Sequence, residues 1–132
     1  MVDEVQYEMS RVRNRLKDLK ELETKHLSRP SFNDDSSEEE KLIDATTQEI
    51  TKMLTHCQRL LQHIQQTASP TRRGDKYLLK NVVASLLQAL QGFTVEFRSS
   101  QTGYLKSLQN REDSFQQYFE AFSAESPGMP SG

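Results

Sequence analysis

The chain has 132 residues, 34% of them hydrophobic and 27% charged, with 17 lysines and arginines against 19 aspartates and glutamates. That length suits one domain with its own core, and a formal charge of -2 gives no global pull towards nucleic acid. Cys57 is the single cysteine, which excludes an intramolecular disulfide. No run of about 18 apolar residues occurs, so no membrane span is expected, and the acidic start Val2-Asp3-Glu4 is unlike a signal peptide.

The first periodic segment covers about 3–27. Its apolar positions Val5, Met9, Val12, Leu16 and Leu19 alternate steps of four and three, which is a heptad stripe. Asp3 is placed to cap its start. His26 sits at its end, where a cation suits the helix dipole. Ser28 to Asp35, with Pro30, then breaks the pattern.

The second segment covers about 37–67. Ser36 or Ser37 can cap it, with Glu39 or Glu40 completing a capping box, and Glu38 adds charge that the dipole favours. Its stripe is Ile43, Thr47, Ile50, Leu54, Cys57, Leu61, Ile64. A second break, Ala68 to Gly74, contains Pro70.

The third segment covers about 75–121. Its stripe is Leu79, Val83, Leu86, Leu90, Phe93, Phe97, Ser100 and Tyr104, then Leu108, Arg111, Phe115 and Tyr118. Gly92 and Gly103 each weaken the helix by about 1 kcal/mol relative to alanine. Gly92, beside the stripe, is a candidate for close packing.

No segment alternates with period two, so no strands are expected. The fold class is all-α: an antiparallel, up-down-up three-helix bundle with a left-handed twist, the third helix longest. Residues 1–122 would form the bundle and 123–132 a disordered tail. At about 1.5 Å per residue the helices span roughly 37, 45 and 70 Å, so the third overhangs. The overhang carries Phe115, Tyr118, Phe119 and Phe122. These aromatics either mark an interaction site, or fray or fold back on the bundle end.

A coiled-coil seam uses two apolar positions in seven, and the second and third segments hold more. Leu42, Met53 and Leu60 flank one stripe; Leu78 and Val82 flank the other. The surplus either fills a closely packed core or forms a groove that accepts a fourth amphipathic helix.

Catalytic signals are poor: the chain has no phosphate loop, no HExxH and no GxSxG. It is therefore not expected to be an enzyme or to carry a cofactor. His56, His63 and Glu49 make too few ligands for a metal site. Cys57 falls on a core stripe, as a small buried hydrophobe does. Arg72, Arg73, Lys76 and Lys80 form a basic cluster, able to meet phosphate or lipid headgroups or simply solvated. Without interleaved aromatics it supports no nucleic-acid partner.

Asn81-Val82-Val83-Ala84-Ser85-Leu86-Leu87-Gln88-Ala89-Leu90-Gln91, then Phe97-Arg98-Ser99-Ser100-Gln101-Thr102-Gly103-Tyr104-Leu105-Lys106 and Asn110-Arg111-Glu112, carry a more specific signal. They resemble the third helix of syntaxin N-terminal domains. Val2-Asp3-Glu4-Val5-Gln6-Tyr7, Lys25-His26-Leu27-Ser28-Arg29-Pro30, Asp35-Ser36-Ser37-Glu38-Glu39-Glu40 and Thr46-Thr47-Gln48-Glu49-Ile50-Thr51 are similar to the first and second helices of the syntaxin-16 (Tlg-type) branch. Departures fall around residues 65–77 and after Phe122.

The resemblance implies the Habc-type regulatory domain of a Qa-SNARE, acting in endosome to trans-Golgi network traffic on the cytosolic face of those membranes. Implied partners are its own SNARE motif in cis, other SNAREs and a Sec1/Munc18-type protein. The isolated domain would be a soluble monomer. A groove would use Leu42, Met53, Leu60, Leu78 and Val82 for apolar contacts, with Arg98 and Gln101 for polar ones. No SNARE heptads, no anchor and no peptide before Val2 lie within these residues, so fusion and membrane attachment are expected to lie outside them. The rival readings are a spectrin-type spacer, although no internal repeat is found, and a small helical enzyme or metal carrier using His56 and His63.

Overall fold

The described residues of the computed structural model form three helices: α1 (Val2–Ser28), α2 (Asp35–Thr67) and α3 (Arg73–Ala124). The description covers residues 2–28, 35–67 and 73–124, without the side chains at 35, 36, 73, 75 and 124. The breaks at Pro30 and Pro70, the Arg72 and Arg73 side chains and most of the expected tail lie outside it. Ser123 and Ala124, expected in the tail, belong to α3. Asp3, expected as a cap, lies inside the first turn of α1 with Glu4, where the macrodipole still favours a carboxylate. Because α2 begins at Asp35, Ser37 lies within its first turn and not ahead of it.

Side-chain pairs give the directions. The end of α1 meets the start of α2 where His26 faces Glu39 and Glu40, and Arg15 binds Glu49 further along. The two helices are therefore antiparallel. Ile64 near the end of α2 shares a hollow with Leu79 and Val83 near the start of α3. On α1 and α3, Arg13 lies over Phe93, 5.7 Å from the ring centroid, and the His26 carbonyl accepts from Arg111 Nη1 at 3.0 Å. Both pairs advance together, so α1 and α3 run parallel.

Every residue of the α1 stripe from Val5 to Leu19 is buried. The fully buried group is Val5, Val12, Leu19, Ile50, Cys57 and Leu61, and sequestering each aliphatic side chain is worth roughly 1.5–3 kcal/mol. On α2 the buried stripe turns slightly towards α1: Thr46 and Met53 are buried, where Thr47 and Leu54 were expected, and those two are half-buried. A helix advances about 100° per residue, so the close packing of α1 on α2 decides which neighbour goes inside. The Thr46 hydroxyl is satisfied by the Leu42 carbonyl at 2.8 Å.

The core uses α3 more sparingly. Val83, Leu90 and Phe97, one residue per heptad, are its buried positions, while Leu79, Leu86, Phe93 and Tyr104 are only partly covered. The stretch Lys76–Ser123 contains a window apolar enough, by length and composition alone, to cross a membrane, although no such segment was expected. Only 11% of that window is buried. Part of this apolarity builds the core, and the rest faces outward. Gly92 does not serve close packing, because a Cβ there, as at Gly103, meets nothing within 4 Å.

Candidate functional site

Turning Met53 inward leaves Leu54 facing α3, and the sparing use of α3 leaves apolar surface opposite it. Between the two helices lies a trough of three hollows. The first, of about 330 Å³, has Ile64, Leu79, Val83 and Leu87 as its apolar floor. The middle one, of about 720 Å³, is lined by Leu54, Leu90 and Phe97 with Thr51, Thr55, Gln58, Arg98 and Gln101 around them. The third, of about 260 Å³, lies over Ile43, Tyr104 and Leu105. Leu87 lines both the first and the second, and Gln101 both the second and the third, so the hollows adjoin one another along the trough.

Arg98 lines the middle hollow, and Gln101 lines the middle and the third. Leu42, Met53, Leu60, Leu78 and Val82 do not line the trough. Met53 is in the core, Leu60 packs half-buried against it, Val82 is half-buried, and Leu42 and Leu78 are more than half exposed. The apolar floor comes instead from the stripe residues Leu54, Ile64, Leu79, Val83, Leu90 and Phe97, with Leu87 beside the stripe. The sequence signal was the doubled stripe itself. Which row faced outward depended on where α1 settled.

The α1 side of the molecule is closed differently. Arg15 reaches Glu49 through two contacts, Nη2–Oε2 at 3.1 Å and Nε–Oε1 at 3.2 Å, tying α1 to α2. The hollow between α1 and α3 is smaller, about 230 Å³, with Lys20, Glu96, Ser99 and Ser100 beside Leu16.

At the third hollow the core turns polar. Glu23 is buried, and burial lifts its carboxyl from 4.5 to about 7 despite a hydrogen bond from Ser100. His26, 3% exposed, has Nε2 3.4 Å from Glu40 Oε1 and Nδ1 3.7 Å from Glu39 Oε2. Burial first, then the carboxylates of Glu23 and Glu40, pushes the Tyr104 hydroxyl up to about 12. These groups continue the stripe: Leu19, Glu23 and His26 keep the four-and-three spacing, so the signal was present in the heptad although their polarity hid it.

Cys57 is fully buried, and loss of solvent pushes its thiol up to about 11, which makes it a poor nucleophile. His56 and His63 are exposed, and among the described residues no group of three or more potential ligands could hold a metal ion. Beyond Arg111, the overhang exposes Phe115, Tyr118, Phe119 and Phe122 by 50%, 69%, 59% and 66%. The rings of Phe115 and Phe119 lie 6.1 Å apart.

No family model matches the chain, and no solved structure matches it. Curated relatives do. Human syntaxin-16 is 48% identical over 119 residues, 90% of this chain and 36% of that protein. The Arabidopsis thaliana Tlg2p-like protein a is 35% identical over 112 residues, 84% of this chain and 33% of that protein. The Schizosaccharomyces pombe t-SNARE affecting a late Golgi compartment protein 2 is 33% identical over 79 residues, 60% of this chain and 26% of that protein. The chain spans about a third of the length of the first relatives it matches. Over nearly its whole length, then, this three-helix chain is a homologue of the syntaxin-16/Tlg2 proteins.

Proposed function

We propose that residues 1–122 act as the regulatory N-terminal domain of a syntaxin-type SNARE in endosome to trans-Golgi traffic, by holding a helix reversibly in the α2–α3 trough. The observation that carries this reading is the trough itself: a run of adjoining hollows between two helices, with an apolar floor in which Leu54, Leu79 and Leu87 are only half-buried and polar side chains edge the middle. A fourth amphipathic helix laid there would complete a bundle by ordinary helix-in-groove packing. The occupant is the protein's own SNARE motif, with Arg98 and Gln101 as polar contacts.

The exposed aromatics Phe115, Tyr118, Phe119 and Phe122 favour a second contact. They offer a surface for another trafficking factor, such as a Sec1/Munc18-type protein or a second SNARE. A spectrin-type spacer needs neither an open trough nor an exposed aromatic overhang.

Titration of the isotope-labelled chain with its SNARE-motif helix tests the main reading. Amide shifts should run along both walls, through Leu54, Leu87 and Gln101. Shifts confined to α1, or none, would overturn it.

A further inference from the structure

The charges along the trough are sorted by end. Over the first hollow the charged lining residues are Lys76 and Lys80, one turn apart on α3. Over the third they are Glu40 and Asp44, one turn apart on α2, with Glu23 beneath. Arg98 is the charged lining residue between them. Lys76 and Lys80 are exposed and, among the described residues, neither is paired with a carboxylate. From Lys76 to Leu105 the trough follows roughly 44 Å of α3. That separation is several times the screening length of about 8 Å at physiological salt, so each end acts on its own part of an occupant.

We infer that the trough selects a dipolar amphipathic helix, one that brings acidic side chains to the Lys76–Lys80 end and basic side chains to the Glu40–Asp44 end. The inference rests on the helix-docking reading and adds the chemistry of the occupant. The apolar floor supplies attraction that is blind to direction and partner. The end charges supply what it lacks, because like charges brought together at either end oppose docking. A helix acidic at both ends meets Glu40 and Asp44 badly, and one basic at both ends meets Lys76 and Lys80 badly. The same sorting fixes direction, since a dipolar helix laid in backwards clashes at both ends.

Three synthetic helical peptides test this, sharing one apolar stripe and differing in their end charges: acidic–basic, acidic–acidic and basic–basic. At low salt the dipolar peptide should bind at least about tenfold more tightly than either uniform one, a gap that narrows in high salt. A spin label at its acidic end should broaden the amides around Lys76 and Lys80. In the double variant Lys76→Glu, Lys80→Glu, whose fold is checked by its thermal melt, the basic–basic peptide should become the tightest ligand. Equal binding of all three peptides, or a label that broadens the Glu40 end, overturns the charge inference and leaves the groove standing. Failure of all three to bind overturns the docking reading itself, and the charge inference with it.

Discussion

Phe97 and Phe119 belong to one helix and one aromatic-rich run, yet Phe97 is 5% exposed and Phe119 59%. The cause lies beside α3. Its bundled part has α1 and α2 against it, and among the described residues the last tie is Arg111 to the His26 carbonyl, close to where α1 ends at Ser28. From Glu112 to Ser123 every residue is exposed. The overhang is helical because adding a residue to an existing helix is easier than starting one, and ring pairs such as Phe115–Phe119 at i, i+4 add a little. Burial has a separate requirement, a neighbour long enough to reach. An apolar stripe on a helix therefore states a capacity for burial, and its partners decide how much of it is used.

The contrast is broken most directly at its buried side. Phe97→Ala should cost about 3–5 kcal/mol in chemical denaturation, as large-to-small changes in packed cores do. A loss below about 1 kcal/mol would mean that α3 is not docked at that layer, and the two halves of the helix would then be alike.

A smaller effect is expected where the bundle ends. Glu23 takes up its proton at about 7 when folded, against 4.5 ordinarily. Between those values the folded chain binds more protons than the unfolded one, so stability falls as pH rises from about 4.5 to 7 and then levels off. Glu23→Gln removes this slope and should stabilise the chain above pH 7 by on the order of 2 kcal/mol. His26, Glu39, Glu40, Asp44, Tyr104 and Arg111 are unchanged in the variant, so the difference between the two pH profiles isolates Glu23. Parallel profiles would show that this carboxyl is hydrated, and that the bundle is already open at the level of Ser100.

Much of the architecture was legible because heptads report it directly. Val5 to Leu19 on α1 and Ile50, Cys57, Leu61 and Ile64 on α2 were readable as core from spacing alone, and the excess length of α3 from counting residues. The fine phase was not. Thr46 against Thr47, and Met53 against Leu54, are neighbours about 100° apart on a helix, and the choice falls to the packing of α1. For the same reason the surplus of apolar surface on α2 and α3 could be seen, while the row expected to line the groove, from Leu42 to Val82, lies elsewhere. Glu23 was missed, and His26 was read only as an end cation, because a stripe is sought by hydrophobicity, although their spacing alone places them on it.

The smallest expected effect is the one that makes the contrast sharpest. Phe119→Ala removes as large an aromatic as Phe97→Ala does, from the same helix. With 59% of that residue already in water, little apolar surface returns to solvent on unfolding, and no cavity forms. The cost should stay within about 0.5 kcal/mol, the range of surface substitutions. Its far-ultraviolet spectrum should lose little helix, because its ring neighbour Phe115 contributes only a few tenths of a kcal/mol. If Phe119→Ala cost more than about 1 kcal/mol, something would have to cover the ring. Repeating the denaturation over a wide range of protein concentration identifies the cover: a cost that grows with concentration puts a second copy on the overhang, and a constant one brings the helix end back onto its own bundle.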